Sequence, residues 1–380
     1  MHIVPIASGK GGVGKSLVAA NLSIALAQAG RRVILADLDL GGSNIHTILG
    51  LSSVPRGIGT YLTNPKGKLE EIIMETEYSG LQFLPGDSEI PGMANLKSSQ
   101  KRMLLRKLQA LDADYLVMDL GAGTNYNTLD FFLMSGRGII VTAPTLTATL
   151  NAYLFLKNSV FRIMSAAFKR KSPAWEYLES LKHQETSLQR VYVPRLLEEI
   201  GKADSESRSA YDNRVAGFRP RLILNMLDNP KDGDKAGKIR RSCGEYLAID
   251  MEHLGIIYRD HLQDIALASR LPIIIYKPES ILAQAVYRVA DKIMQQEGEQ
   301  SAPVGFQDFD ESYEEADIEA QVDFDEKIKS LEDLLRSGAL TEGDLIETIR
   351  TQQYEISTLR KENQLIKTKL VKAMTAGFKV

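Results

Sequence analysis

Eight residues near the start of the chain, Gly9-Lys10-Gly11-Gly12-Val13-Gly14-Lys15-Ser16, restrict its fold more than any other stretch. They follow an apolar run, Ile3–Ala7, and open a helical pattern, Leu17–Ala29, which ends at Gly30 as a C-cap. The spacing is G-x-x-x-x-G-K-[ST], placed where a strand hands over to a helix. Such glycines let the backbone turn tightly and bring its N–H groups against phosphate oxygens. Lys15 then supplies a point charge at the β and γ phosphates, and the Ser16 hydroxyl ligates magnesium. The expected nucleotide-contacting set is Gly9 to Ser16 with Leu17.

From residue 1 to about 298, short β-like runs alternate with helical patterns. The expected strands are Ile3–Ala7, Val33–Ala36, Leu81–Leu84, Tyr115–Met118, Gly138–Thr142, Arg221–Leu224, Leu254–Ile257 and Pro272–Tyr276. Most are continuously apolar, as strands covered on both faces are. The alternation predicts an α/β fold with a doubly wound, mostly parallel sheet. Pro5 conflicts with this, because proline removes a donor from a central strand. Residues about 160–219 read as a helical insertion. Residues 299–326 are strongly acidic and read as a disordered linker.

The tail, 327–380, reads as helical, with a coiled coil over about 345–373. Heptad positions a fall on Ile349, Ile356, Asn363 and Leu370, and d on Leu345, Gln352, Leu359, Ile366 and Ala373. Glu355 and Glu362 at g would face Arg360 and Lys367 at e, the signs that set a parallel pair. A single amphipathic helix packed on the body is the alternative.

Composition removes several functions. Cys243 is the one cysteine, so there is no internal disulfide and too few thiolates for an iron–sulfur or zinc site; a cytoplasmic location is expected. No stretch approaches the roughly 18 apolar residues of a membrane span. A net charge of −3 argues against a chain that coats nucleic acid all over.

Lys10 is the unusual element, since an ordinary phosphate loop needs no second lysine there. With it, the loop resembles the signature K-G-G-x-G-K-[ST] of the MinD/ParA family of deviant-Walker P-loop ATPases, and the likeness runs over about residues 1–298. The resemblance implies a homodimer formed on ATP, with Lys10 reaching across to the partner's nucleotide. Asp37-Leu38-Asp39 resembles the family's first switch, which places Asp39 by the attacking water and Asp37 near magnesium. Asp119-Leu120-Gly121-Ala122-Gly123-Thr124 resembles the Walker B segment and second switch, with Asp119 holding a magnesium-bound water. Asn225 resembles the residue that reads adenine. The Gly121-Ala122-Gly123 form, and Ala143-Pro144-Thr145 ahead of Thr147–Tyr153, are most similar to the flagellar-number regulators of the family.

The resemblance therefore implies a Mg·ATP-dependent switch with Lys10, Lys15 and Asp39 as catalytic residues. It would hydrolyse ATP slowly, answer to an activating protein, and position flagella, a division site or another cargo. A dimeric scaffold with weak hydrolysis, recruiting partners through its tail, is the alternative, and a partitioning ATPase that binds DNA is a second. Metal-cofactor assembly, which relatives with this loop perform, needs paired cysteines. The basic, apolar end at 365–380 suits peripheral contact with the inner face of the membrane. Phe168-Lys169-Arg170-Lys171 and Lys238-Ile239-Arg240-Arg241 are the candidate DNA contacts.

Overall fold

The computed structural model describes residues 1–40, 42–51, 54, 56–63, 67–86, 96–182, 191–296 and 306–336, with isolated positions beyond. One compact unit runs from Met1 to Phe324; the chain from Asp325 onward belongs to a second. Its strands are β1 (His2–Ala7), β2 (Val33–Leu38), β3 (Met74–Glu75), β4 (Leu81–Leu84), β5 (Tyr115–Leu120), β6 (Ile139–Thr142), β7 (Arg221–Leu227) and β8 (Glu252–Tyr258). They form one sheet in the order β3-β4-β2-β5-β1-β6-β7-β8, parallel except where β3 meets β4.

Along the chain the helices are α1 (Lys15–Gln28), α2 (Ile45–Ile48), α3 (Ile58–Thr63), α4 (Ser98–Gln109), α5 (Tyr126–Phe132), α6 (Leu146–Ala167) and α7 (Pro173–Lys182). There follow α8 (Val193–Ala203), α9 (Ser205–Val215), α10 (Asp234–Leu247), α11 (Leu262–Ala268), α12 (Ile273–Tyr276), α13 (Ile281–Gln295) and α14 (Phe306–Arg336).

Side chains alternate across the sheet and build two cores. Val33 and Leu35 of β2 and Tyr115 and Val117 of β5 pack with α1 and α13. Ile34, Ala36 and Leu38, with Leu116, Met118 and Leu120, pack on the other face beneath α4, α5 and α6. Both faces are covered, which is why these strands read as unbroken apolar runs rather than alternating ones. The chain reverses direction across the sheet beside β1, so the loop after β1 lies at the topological switch point, where such folds bind ligands.

Pro5 is accommodated because β6 pairs with β1 only from Ile6 onward. The region expected as an insertion is helical, but α6 runs through residue 160 without a break. Leu178, Val193, Leu196 and Tyr211 of that region join the main core.

Two expectations are corrected. Pro272–Tyr276 is the single helical turn α12, not a strand. Pro272 stands in extended backbone ahead of it, and the Ile274 amide donates to Asn21 Oδ1 at 3.1 Å. Short apolar runs do not tell strand from helix, and this one anchors α1.

The acidic stretch is the second. From residue 306 it is the helix α14, and up to Phe324 it belongs to the main unit. Its acids are matched by bases from the body: Arg240 pairs with Asp310, Lys292 with Glu315 and Glu319, and Arg288 with Asp323. The Tyr258 hydroxyl donates to the Ala320 carbonyl at 2.9 Å, and Ala316 and Ala320 are buried. One sign of charge suggested disorder, but the neutralising charges sit far away in sequence. The Arg240 contacts also remove that residue from the candidate DNA set, since it holds Asp250 as well. Residues 345–373 are described only at isolated positions, and the terminal segment 369–380 lies outside the described residues.

Candidate functional site

β1 delivers the glycine-rich loop to the switch point, and α1 leaves from it. Gly12 and Gly14 adopt φ of 79° and 82°, the left-handed region where a side chain is strained. Gly14 is the N-cap of α1 and no side chain caps that end, so the first amides of the helix remain for an anion. The space is also restricted. A Cβ on Gly14 would lie 2.3 Å from Asn225 Nδ2, and one on Gly9 would lie 2.1 Å from the Asn151 carbonyl oxygen of α6.

Lys15 is buried, and its Nζ lies 2.5 Å from Asp119 Oδ1 and 3.4 Å from Ser16 Oγ. Asp37 and Asp119 occupy matching positions on adjacent strands and are fully buried. By the alternation of β2 and β5, both project toward α1. Burial first, and then the charge of Asp119, push the Asp37 carboxyl up to about 7. Opposing this, Asp37 accepts from Ser43 Oγ at 2.7 Å, from the Asp39 amide at 3.1 Å and from the Ile45 amide at 3.3 Å. Burial also raises Asp119, against the pull of Lys15.

Asp119 Oδ2 is buried with no hydrogen-bond partner among the described residues. That orphaned oxygen, beside Ser16 and Asp37, fits a hydrated magnesium ion. Among the described residues no group of three or more His, Cys, Asp or Glu could hold a metal alone.

The two switch segments touch. A Cβ on Gly121 would lie 3.2 Å from Asp39 Oδ1, and the Gly123 amide donates to the Ser8 carbonyl at 3.0 Å. Asn225 donates through Nδ2 to the Val13 carbonyl at 2.9 Å, which fixes its amide orientation and leaves Oδ1 as the remaining acceptor. Just after it, Met226 has φ of 62° and interrupts the β7–β8 register. Such a bulge re-aims side chains, here around a pocket lined by Leu17, Asn225, Met226 and Gln263.

The fold thus brings together Gly9, Gly11, Gly12, Val13, Gly14, Lys15, Ser16, Leu17, Asp37, Asp39, Asp119 and Asn225. Lys10 stands apart: it is exposed, and its Nζ donates to Thr147 Oγ1 of α6 at 3.0 Å. Sequence reasoning missed Ser43, Asn151, Met226 and Gln263, which carry no motif and meet the loop only through the fold.

The family model described as ParA, a NUBPL iron-transfer P-loop NTPase, matches residues 1–159. The flagellum site-determining protein YlxH of Helicobacter pylori is 30% identical over 260 residues, 61% of this chain and 87% of that protein. The antiactivator FleN of Pseudomonas aeruginosa is 30% identical over 159 residues, 41% of this chain and 56% of that one. Among solved structures, the septum site-determining protein MinD of Pyrococcus horikoshii, complexed with Mg-ADP, superposes with a TM-score of 0.54 at 22% identity, covering 79% of this chain and 98% of that one. The chain belongs to the ParA/MinD family of P-loop ATPases.

Proposed function

We propose that the chain is an ATP-driven spatial switch that acts on the number or placement of flagella. Two copies close over Mg·ATP, phosphate loop to phosphate loop, and slow hydrolysis releases them. The role in flagellar placement is supported by the likeness to YlxH, which spans 87% of that protein.

The observation that carries the dimeric reading is the contrast between the two lysines. Lys15 already faces Asp119 inside its own site, whereas Lys10 points outward along α6. Leu146 and Leu150, on either side of Thr147, are 82% and 54% exposed. Exposed leucines flanking a cation that its own site does not use suit a surface covered part of the time.

Phosphoryl transfer to water needs positioning and charge neutralisation, with little covalent chemistry from the protein. Ser16 and, through water, Asp37 and Asp119 would hold magnesium, which would supply positive charge against the phosphates. Lys15 exchanges Asp119 for phosphate oxygens, and the loop amides hold the remaining charge. Asp39 orients the attacking water, and Lys10 of the second copy supplies positive charge as the pair closes. An activating partner would act by completing that closure. Because Asp39 lies against Gly121, both switches respond to the γ-phosphate together.

Iron transfer is disfavoured for this chain. Cys243 is fully buried, and burial pushes its thiol up to about 12, which opposes thiolate ligation. The parallel coiled coil at 345–373 and membrane contact through 365–380 remain proposals from sequence. Counting flagella in cells that lack the protein tests the role. Changed number or position supports it; unchanged flagella with misplaced division sites would move the assignment to septum placement.

A further inference from the structure

Gln263 of α11 is 8% exposed, and neither Oε1 nor Nε2 has a hydrogen-bond partner among the described residues. It lines the pocket that also holds Leu17, Asn225, Met226, Asp260 and Asp264. A buried carboxamide without partners is costly, and one facing a ligand pocket is kept for the ligand.

We propose that Gln263 selects the nucleobase, its carboxamide pairing with the N1 and 6-amino edge of adenine. This rests on the site being a nucleoside triphosphate site. The two groups of the amide complement that edge: Nε2 donates to N1 and Oε1 accepts from the amine. A freely turning amide would serve guanine equally well, whose O6 and N1–H present the reverse order. The acceptors around it break the tie: Asp260 and Asp264 line the same pocket, and Asn225 turns Nδ2 to the Val13 carbonyl and keeps Oδ1 as an acceptor, so the base meets oxygens that take an amine rather than a keto oxygen. Asp260 and Asp264 add acceptors only. Gln263 therefore supplies a donor for N1 that these carboxylates lack.

The test compares the full chain with Gln263→Leu and Gln263→Glu, titrated with Mg·ATP, Mg·GTP and Mg·1-deaza-ATP, in which N1 is replaced by carbon. The wild type is expected to prefer ATP over 1-deaza-ATP by about tenfold, one neutral hydrogen bond's worth, and over GTP by more. Gln263→Leu should weaken ATP by at least that factor and bind ATP and 1-deaza-ATP equally. Gln263→Glu, ionised and without the donor, should also lose the preference while its melting temperature reports an intact fold. A preference that survives in both variants, or is absent in the wild type while ATP still binds, overturns the proposal. No binding of any triphosphate by the wild type would instead overturn the nucleotide-site reading beneath it.

Discussion

Asp37 and Asp119 are register partners, the penultimate residues of β2 and β5, and both leave the sheet toward α1. Two buried carboxylates at one level demand a cation, and Lys15 supplies it from the first turn of α1 at 2.5 Å from Asp119. The phosphate-loop lysine therefore holds the unliganded site together as well as contacting phosphate.

Lys15→Met should accordingly destabilise the unliganded protein, by about 3–5 kcal/mol, because it leaves Asp119 buried without its counter-charge. The double change Lys15→Met with Asp119→Asn should recover most of that loss while nucleotide binding stays abolished. Urea denaturation of the three proteins measures it; a double variant as unstable as Lys15→Met would show that the pair is not the cause.

The glycines of the loop should separate by position. Gly14→Ala combines a φ of 82° with a Cβ placed 2.3 Å from Asn225 Nδ2, so it should cost at least about 1 kcal/mol and abolish binding. A Cβ on Gly11 meets nothing within 4 Å, so Gly11→Ala should leave the melting temperature of the unliganded protein unchanged. Thermal melts of both without nucleotide decide this; equal losses would contradict the loop geometry.

The phosphate loop, most strands and the position of Asp37 and Asp119 near the ends of β2 and β5 were legible in the sequence because each is local: a glycine spacing, an apolar run, an acid at a strand end. What was not legible depends on distant partners. The helix α14 reads as a charge run until Arg240, Arg288 and Lys292 are placed opposite it. The turn at Ile273–Tyr276 reads as a strand until Asn21 of α1 is seen to receive its amide. Gln263 and Met226 carry no motif at all, and nothing in the sequence marks the bulge in β7 that shapes their pocket, where Met226 is held at positive φ.

Residues 306–324 should behave as part of the ATPase body. A chain ending at residue 298 would expose the buried side chains beneath Ala316 and Ala320 and remove the acids that pair with Arg288 and Lys292. It should melt several degrees below a chain ending at residue 336, and the difference should narrow in high salt as the ion pairs are screened. Calorimetry on the two chains checks this; identical melting would return the segment to the role of a linker.

His253 gives the stability a pH dependence. It is buried against Tyr313, with ring centroids 4.9 Å apart, and burial first, then Lys292, push its imidazole down to about 3. The unfolded chain binds a proton on this ring near pH 6.5, whereas the folded one does not until about 3. Between those values the unfolded state holds more protons, so stability falls as pH falls, by up to about 1.4 kcal/mol per unit from this group. His253→Phe should flatten that part of the profile in urea denaturation from pH 7 to 5. An unchanged slope would assign the acid sensitivity to other groups.

The central claim is that two copies share their lysines over two nucleotides. Sedimentation of the wild type and of Lys10→Ala with Mg·ATP, in an Asp39→Ala background that blocks turnover, tests it most directly. The account predicts a nucleotide-dependent dimer for Asp39→Ala alone and a monomer that still binds ATP once Lys10→Ala is added. Equal dimerisation of the two proteins would contradict the cross-subunit role of Lys10.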